Sequence, residues 1–308
     1  MSDLPLGLVG VGKIARDQHL PAIAVTSACH CVATADPYAS LPDVPSYDSL
    51  TAMLDDNPGL KAVSICTPTH LRYEQARQAL LRGRHVLLEK PPGATLSEVE
   101  ALVALAEQQG VTLFAALHSR FAPGVSKAQQ WLAQRRIHHV DIQWKEDVRV
   151  WHPGQAWIWQ AGGMGVFDPG INAFSIATAI LPQPFFLQQA RLDVPRNCQT
   201  PIAADLTFRD ENGASIGAHF DFRQQGPQTW DIHVETDGGL LSLTQGGCQL
   251  SIQGDVIVNE PEHEYAGLYA HFVELVSAQQ SDVDMAPLRL VADAFLYGRR
   301  EMVEAFVE

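Results

Sequence analysis

The sequence predicts an α/β protein with two domains: a parallel sheet covered by helices, then an α+β domain with a large, mostly antiparallel open sheet. Three observations lead to this prediction. Up to about Ala115, short apolar segments alternate with amphipathic helices, the pattern of a parallel sheet covered on both faces. From about Val140 onward, short strands are joined by polar turns, which indicates antiparallel pairing. The 308 residues are also enough for two domains.

The first domain is predicted to alternate strands and helices. Its strand candidates are almost continuously apolar, as strands buried on both faces are. They lie at residues 6–11, 31–35, 62–66, 85–88 and 112–115. Apolar residues at helical spacing predict helices at residues 71–82 and 97–108.

The second domain is predicted to contain strands separated by turns such as Glu211-Asn212-Gly213. These strands lie at residues 140–148, 186–194, 203–209, 215–222, 230–236, 240–244 and 248–252. Helices are predicted at 265–279 and 287–306. The boundary between the domains is predicted near residues 118–123, which gives domains at 1–118 and 119–308. Whether the last helix packs back on the first domain stays open.

Composition excludes several classes of function. A formal net charge of −14 argues against binding the phosphates of nucleic acid. Five cysteines, an odd number without metal-ligand spacing, indicate reduced thiols, and we expect no metal site. No apolar run reaches the roughly eighteen residues of a membrane span, and residues 1–3 lack the basic region of a signal peptide. We therefore expect a soluble cytoplasmic protein with neither nucleic acid nor membrane as a partner.

A glycine turn follows the first predicted strand. Gly10, Gly12 and Ala15 have the G-x-G-x-x-A spacing of a dinucleotide-binding turn, with Lys13 and Ile14 inside it. Gly10 permits the tight turn, and Gly12 lets the backbone approach a pyrophosphate. The alternative is a tight strand–helix turn that binds no ligand. We predict a nucleotide cofactor here.

Two further segments at strand ends extend the predicted cofactor site. Asp36 ends the second strand, where a carboxylate accepts hydrogen bonds from ribose hydroxyls and repels a 2′-phosphate. NAD is therefore expected, with NADP left open, and a simple strand-terminating turn remains an alternative. Thr67, Pro68 and His70 follow the third strand at the carboxyl edge of the sheet. The alternative is that Thr69 caps the helix that begins at His70 and that this segment makes no direct contact with the cofactor.

A lysine lies in a rigid setting after the fourth apolar strand. Glu89 and Lys90 precede two consecutive prolines, which restrict the backbone. A partly buried lysine near a cofactor can hold a substrate hydroxyl or lower the pKa of a neighbouring acid. We predict that Lys90 is catalytic and that both residues border the cofactor.

A glycine run leads into the second candidate for chemistry. Gly162-Gly163-Met164-Gly165 is followed by Asp168 and then by an apolar helix. If the helix begins near Asp168, then Asp168 and Asn172 share one face. Asp168 could instead be an N-cap alone. The pairing with Asn172 favours a site, and we predict that both residues act on the substrate.

Acidic, imidazole and indole groups cluster before the glycine run. They are Glu146, Trp151, His152, Trp157 and Trp159. Such groups suit a sugar, which has hydroxyls on its rim and apolar C–H faces. Glu146 and His152 are predicted substrate contacts, and His118 and Trp230 complete the candidates.

Together, the glycine turn, the Glu89-Lys90-Pro91-Pro92 segment and the string from Gly162 to Asn172 resemble the glucose–fructose oxidoreductase/inositol dehydrogenase family. The resemblance spans nearly the whole chain. It implies an N-terminal Rossmann domain and a second domain whose open sheet packs in homo-oligomers. It also implies that Lys90 binds and activates a substrate hydroxyl.

One position departs from the family pattern. Many members carry a histidine four residues after the aspartate, whereas this chain has Asn172, which cannot titrate. Proton removal then falls to Asp168 or Lys90, and both stay open. This variant resembles the bacterial aldose 1-dehydrogenases that act on L-arabinose and D-galactose. The resemblance implies oxidation of the sugar C1 to a lactone with NAD or NADP. The alternatives are a dehydrogenase of another sugar, inositol or polyol, and a non-catalytic NAD-dependent regulator.

Overall fold

The computed structural model describes residues 3–308, which form two compact units. Unit 1 comprises the chain up to His118 together with Glu264–Asp284. Unit 2 comprises Ser119–His263 and Met285–Glu308. Met1 and Ser2, which entered the prediction about a signal peptide, lie outside the described residues.

Unit 1 is built on a six-stranded sheet in which every pair of neighbouring strands is parallel. Its strands are β1 (Leu4–Val9), β2 (Cys29–Ala35), β3 (Ser46–Tyr47), β4 (Ala62–Ile65), β5 (His85–Glu89) and β6 (Leu113–Ala116). Their order is β3-β2-β1-β4-β5-β6, which is the Rossmann order. The order reverses between β1 and β4, and ligands of such sheets bind outside the carboxyl ends of the strands at that point. The predicted parallel sheet is confirmed.

The helices of the chain are α1 (Leu20–Val25), α2 (Leu50–Asp56), α3 (Thr69–Leu81), α4 (Leu96–Gln109), α5 (Val125–Leu132), α6 (Val148–Trp151), α7 (Phe167–Ile180), α8 (Glu264–Ala278) and α9 (Ala286–Tyr297). A π-helical turn lies at Ala15–His19, and 3₁₀ turns lie at His118–Phe121, Ala156–Trp159 and Gln245–Gly247. Local sequence sets some helix ends directly. In α4, Thr95 and Glu98 form a capping box, and Gly110 ends the helix in the left-handed conformation.

Unit 2 is built on a nine-stranded mixed sheet. Its strands are β7 (Ile137–Lys145), β8 (Phe185–Pro195), β9 (Ala203–Asp210), β10 (Ser215–Asp221), β11 (Thr229–Thr236), β12 (Gly239–Thr244), β13 (Gln249–Ile252), β14 (Asp255–Asn259) and β15 (Arg299–Val303). The order is β14-β13-β12-β11-β7-β10-β9-β8-β15. Only the pairs β7/β10 and β8/β15 are parallel, so the predicted, mostly antiparallel sheet is confirmed. Aromatic side chains of α7 pack edge-on against the sheet, as Phe174 does against Phe208 and Phe220.

The end of the chain differs from the sequence prediction. The helix predicted at 287–306 ends at Tyr297, because Gly298 takes an extended backbone conformation. The chain then continues as β15, which pairs in parallel with β8. Periodicity alone missed this because β15 has only five residues and only Gly298 separates it from α9.

The segment that returns to unit 1 is α8, whereas α9 contacts α7 and β8 of unit 2. The sequence places residues 119–308 in one domain, so the observed division differs there. The reason is burial: Tyr265, Leu268, Tyr269 and Phe272 of α8 are each at most 4% exposed within the structure.

None of the cysteines forms a disulfide. Among the helices of residues 3–308, none has both the length and the apolar character needed to cross a bilayer.

Candidate active site

The glycine turn has the geometry that a dinucleotide requires. Gly10 adopts a φ of +87°, and a Cβ there would lie 2.9 Å from the backbone nitrogen of Thr67. Glycine is therefore needed at this position for both conformation and space. A Cβ on Gly12 would meet no atom within 4 Å, so space is open beside the backbone. That space is where a pyrophosphate could approach the turn. Beyond it, Lys13 pairs with Asp17, and Ile14 is 36% exposed.

Asp36 connects the glycine turn to the loop after β2. Its Oδ2 accepts a hydrogen bond from the Val11 nitrogen at 2.8 Å. Its Oδ1 accepts from the backbone nitrogens of Tyr38 and Ala39 at 2.8 and 3.0 Å. These bonds hold the carboxylate at the position where a Rossmann domain binds the adenosine ribose.

Arg16 lies beside the same loop, and sequence reasoning missed it. Its Nε donates to the Val11 carbonyl at 3.1 Å, and its Nη2 donates to the Ser40 carbonyl at 3.2 Å. A guanidinium here is relevant to a 2′-phosphate, because arginine is the residue that accommodates this group in NADP-binding domains. The sequence does contain a signal for Arg16, because this residue directly follows Ala15, the last residue of the glycine motif.

The ends of β4 and β5 are joined by a buried arginine. Arg72, on α3 and 6% exposed, donates to the carbonyls of Thr67 at 2.8 Å and Glu89 at 2.7 Å. It also donates to the carbonyl of Pro91, and the Lys90–Pro91 bond is cis. Arg72 thereby fixes the backbone on both sides of Lys90. Pro68 and His70 lie at the start of α3, beside Thr67.

Glu89 faces the interior of unit 1. It is 2% exposed, and its Oε2 accepts from the backbone nitrogen of Lys90 at 2.7 Å. Its Oε1 accepts from the Tyr265 hydroxyl at 2.6 Å and lies 3.1 Å from His19 Nε2. The carboxylate is thus directed toward protein groups, which include the backbone nitrogen of Lys90.

His19 and Glu89 form a buried ion pair. Burial opposes the charged imidazolium, but Cys66 and the Glu89 carboxylate raise the pKa of His19 to about 10. Burial likewise opposes the Glu89 carboxylate, but His19 lowers the pKa of Glu89 well below its usual value. On its other side, His19 Nδ1 lies 2.7 Å from the Tyr269 hydroxyl, which donates to Ser64 at 3.0 Å. Motif reading missed His19, Tyr265 and Tyr269 because no local pattern joins them.

Unit 2 brings together three of its predicted site residues. Glu146 directly follows β7, His152 caps the end of α6, and Asp168 lies in the first turn of α7. His152 Nε2 lies 3.5 Å from Glu146 Oε1 and 3.7 Å from Asp168 Oδ2. The carboxylates are 3% and 4% exposed, respectively. One imidazole therefore faces two buried acids.

Indole rings adjoin this cluster. Trp230 Nε1 donates to Glu146 Oε2 at 2.9 Å. The Trp230 ring lies 4.9 Å from that of Trp151, which is 40% exposed. Trp159 contacts Phe222, on which His152 also packs. Acid, imidazole and indole groups thus lie side by side in unit 2.

The backbone before α7 explains the position of Asp168. Gly165 adopts a φ of +54°, and its Cβ would lie 2.3 Å from the Pro201 carbonyl oxygen, so only glycine fits. The N-cap of α7 is Val166, so the alternative that Asp168 is merely an N-cap is wrong. Asn172 lies one turn later in the same helix and is partly buried.

The predicted site residues thus fall into two sets. Lys90 and His118 belong to unit 1, where His118 follows β6 and bonds Glu264. The other five predicted substrate contacts belong to unit 2. Within residues 3–308, no group of three His, Cys, Asp or Glu side chains could hold a metal ion.

Comparison with known proteins gives a consistent picture. A model of an oxidoreductase family with an NAD-binding Rossmann fold matches residues 4–117. The chain is 46% identical to a galactose 1-dehydrogenase of Pseudomonas fluorescens over 308 residues, which cover all of both chains. It is 29% identical over 251 residues to D-xylose 1-dehydrogenase (NADP(+)) 2 of Haloferax volcanii, covering 76% of this chain and 74% of that one.

Solved structures agree. A D-galactose 1-dehydrogenase from Rhizobium etli superposes with a TM-score of 0.96 at 56% identity, covering 100% of this chain and 99% of that one. A 3-ketoreductase from Actinomadura kijaniata, solved with NADP and TDP-benzene, superposes with a TM-score of 0.84 at 18% identity, covering 99% of this chain and 100% of that one. At that identity the second likeness concerns the fold alone.

Proposed function

The chain belongs to the glucose–fructose oxidoreductase/inositol dehydrogenase family, and we propose that it is an NAD(P)-dependent aldose 1-dehydrogenase. It would oxidise C1 of a pyranose such as D-galactose or L-arabinose to the aldonolactone. The observation that carries this proposal is the 46% identity to a galactose 1-dehydrogenase over the full length of both chains. The cluster of Glu146, His152 and Asp168 supports a sugar as the substrate.

The cofactor supplies the hydride acceptor when it is bound. The open space beside Gly12 and the carboxylate of Asp36 fit a dinucleotide. Asp36 favours NAD, whereas Arg16 provides a cation for NADP. We propose NAD as the preferred cofactor. Three backbone hydrogen bonds hold the Asp36 carboxylate at the position of the ribose, where its charge would repel a 2′-phosphate.

The residues of the chain supply the proton chemistry. We assign Asp168 as the acceptor of the C1 hydroxyl proton, since its Oδ2 is buried and adjoins His152. C1 then loses its hydrogen with the electron pair, and the C1–O bond becomes the lactone carbonyl. Lys90 would hold the reacting hydroxyl and stabilise its developing negative charge. Asn172 would orient a hydroxyl through its amide, because it cannot exchange a proton at neutral pH.

The other polar groups of unit 2 would define which sugar fits. Glu146 accepts hydrogen bonds, and the indole of Trp230 both holds Glu146 and offers an apolar face. A galactose-type ring has its axial C4 hydroxyl on one side and an apolar C–H face on the other. We propose that this combination selects the galactose configuration.

A panel of four sugars tests the function. D-Galactose and D-glucose are C4 epimers, and L-arabinose and D-xylose repeat that contrast without C6. Each sugar is offered with NAD and with NADP, and cofactor reduction and lactone formation are measured together. We expect D-galactose and L-arabinose to have a kcat/KM at least about tenfold above their epimers. Equal rates for all four sugars would contradict the assigned specificity, and no lactone with any sugar would contradict the function.

Two further properties belong to this proposal. We propose a homo-oligomer through the open face of the nine-stranded sheet, where exposed or half-buried residues such as His139, His219 and His233 alternate with buried ones. Light scattering should give a multiple of 33.7 kDa, and a monomer mass would contradict it.

We also propose a cytoplasmic location, which suits an NAD(P)-dependent enzyme with reduced thiols.

A further inference from the structure

Residues 304–308 of unit 2 pack against a segment that carries one of the candidate site residues. They follow β15 and lie outside the helices and strands. Phe306 is partly buried, whereas Val307 is 77% exposed. Through Phe306 they contact the segment 149–159, which includes His152. The sequence predicts Phe306 at the end of a helix, so no motif connects it with the site.

Asn197 fixes the backbone of Phe306. Its Nδ2 donates to the Phe306 carbonyl at 2.6 Å, and its Oδ1 accepts from the Phe306 nitrogen at 2.9 Å. A side-chain amide can donate and accept at the same time, so one side chain satisfies both backbone groups. Phe306 therefore has a fixed backbone position, although it belongs to no regular element.

The Phe306 ring contacts both ends of the segment 149–159. Its centroid lies 5.3 Å from that of the Trp159 ring, with 45° between the two planes. The guanidinium carbon of Arg149 lies 5.0 Å from the Phe306 centroid, within the range of a cation–π contact. The first and last residues of the segment thus share one aromatic partner.

A third contact holds the middle of the segment. The Gly154 nitrogen donates to Glu308 Oε2 at 3.1 Å. The neighbouring backbone bonds are local: Gln155 donates to the His152 carbonyl at 3.2 Å. Ala156 donates to the Gly154 carbonyl at 3.0 Å. Glu308 therefore ties the turn after His152 to another part of unit 2.

Aromatic packing connects these contacts to the imidazole of the site. The Trp159 ring lies 5.8 Å from the Phe222 ring, and the His152 ring lies 5.6 Å from the same Phe222 ring. Phe306, Trp159, Phe222 and His152 thus form a continuous row of rings. Because protein interiors are closely packed, a void at one end of such a row lets its members shift.

We propose that Phe306 is a positioning residue, which holds the segment 149–159 so that His152 can hydrogen-bond a hydroxyl of the sugar. The proposal rests on the proposed function, because the hydroxyl belongs to the substrate of that reaction. It gives residues 304–308 a role in sugar binding.

The competing explanation is that Phe306 only stabilises unit 2. The segment 149–159 has other anchors, since the Trp159 carbonyl accepts from the Gln199 nitrogen at 2.9 Å. The hydroxyl of Thr200 donates to a further carbonyl of the segment at 2.9 Å. Loss of the Phe306 ring should therefore leave the segment folded. A purely stabilising contact would lower the thermal midpoint and leave the KM for the sugar unchanged.

The first test compares Phe306→Ala with Val307→Ala, an exposed position in the same segment. We expect Phe306→Ala to raise the KM for the best sugar of the panel about tenfold, since a displacement of about 1 Å can cost about 10²-fold. The kcat should stay within about threefold of wild type, because Asp168 lies on α7. The Kd for NAD should not change. Phe306→Tyr keeps the ring and should retain the wild-type KM.

Asn197→Ala tests the same contact without removing the ring. Asn197 is exposed, so its replacement should leave the fold intact. Without both hydrogen bonds the Phe306 backbone is released, and the KM for the sugar should rise by about threefold or more. A wild-type KM in Asn197→Ala would overturn the assignment.

A double variant tests whether Phe306 acts through His152. His152→Asn removes the proposed sugar contact, and His152→Asn/Phe306→Ala removes both rings. We expect the double variant to have the KM of His152→Asn, because residues that act through one contact are not additive. Effects that multiply in the double variant would overturn the proposal.

Amide hydrogen exchange tests the contact independently of activity. We expect peptides from the segment 149–159 to exchange about tenfold faster in Phe306→Ala than in Val307→Ala. Peptides from β9 and β10 should exchange equally in the two variants. Equal exchange of the segment 149–159 in both variants would show that Phe306 does not hold it.

The outcomes separate the two levels of inference. A wild-type chain that oxidises no sugar of the panel overturns the proposed function and the sugar contact of His152 together. An active wild type, with Phe306→Ala identical to Val307→Ala in KM, overturns the positioning role alone.

Discussion

The two units hold their candidate catalytic groups in different ways. In unit 1, Glu89 binds the Lys90 backbone, Tyr265 and His19 at 2.6 to 3.1 Å. In unit 2, His152 lies 3.5 and 3.7 Å from the carboxylates of Glu146 and Asp168, too far for strong hydrogen bonds. Unit 1 thus fixes the backbone of its lysine, while unit 2 holds an acid and an imidazole that a ligand hydroxyl could still bridge. The comparison predicts that substitutions in the unit 2 cluster affect turnover, and that substitutions in the unit 1 network affect stability as well.

The largest effect is expected for Asp168→Asn. The amide cannot accept the C1 hydroxyl proton, so kcat should fall about 10³-fold, within the range for loss of a general base. The thermal midpoint and the Kd for NAD should change little. Asp205→Asn, at a position whose side chain is 59% exposed, is the control and should keep the wild-type kcat. A kcat for Asp168→Asn within tenfold of wild type would contradict the assigned role.

Glu89→Gln should test the network of unit 1. Removing one partner of a buried ion pair leaves the other charge without compensation, so the free energy of unfolding should fall by about 3 kcal/mol. We expect kcat to fall as well, because the amide binds the Lys90 nitrogen less strongly. Chemical denaturation and steady-state rates measure the two effects. Unchanged stability would show that the pair does not hold unit 1 together.

The pH dependence of stability should show how much the His19–Glu89 pair stabilises unit 1. The folded pKa of His19, about 10, is above its ordinary value of 6.5, so its stabilisation is complete below pH 6.5 and is lost as the pH rises toward 10. The thermal midpoint should therefore fall by at least about 4 °C between pH 7 and pH 10. His19→Asn serves as the reference for every other group that titrates in this range. An equal fall in the thermal midpoint of His19→Asn would show that the His19–Glu89 pair is not the cause.

The smallest effect is expected at the glycine turn, where two substitutions should separate binding from folding. Gly12→Ala has open space for its Cβ and should weaken NAD binding about tenfold without lowering the thermal midpoint. Gly10→Ala would place its Cβ 2.9 Å from the Thr67 backbone at a positive φ and should destabilise unit 1 by about 1–2 kcal/mol. Calorimetry of binding and thermal unfolding measure both. If Gly12→Ala and Gly10→Ala changed NAD affinity and stability in the same way, the distinction between a binding position and a folding position would be contradicted.

Sequence patterns predicted much of the framework because local signals encode it. Apolar runs such as residues 85–88 identify buried strands, and the glycine spacing identifies the turn after β1. Sequence patterns missed the network that holds Lys90, because its members are far apart in the chain. His19 and Tyr269, for example, are separated by 250 positions. In the sequence alone, neither residue differs from an ordinary core residue. The packing of α8 brings them together, and no periodicity reports that contact.

The same limit applies to the candidate site of unit 2. Glu146, His152 and Asp168 were predicted individually, but only the structure shows one imidazole facing both acids. The sequence also extended the last helix across Gly298, because the periodic pattern continues into β15.

The central claim is that this chain removes hydrogen from C1 of a galactose-type sugar, and an isotope-transfer experiment tests it most directly. D-Galactose carrying deuterium at C1 is oxidised with NAD, and the reduced cofactor is examined by mass spectrometry. The proposal predicts one deuterium in the reduced cofactor and none from sugar labelled at C2 or C3. Reduced cofactor without deuterium from C1, or with deuterium from another carbon, would contradict the claim.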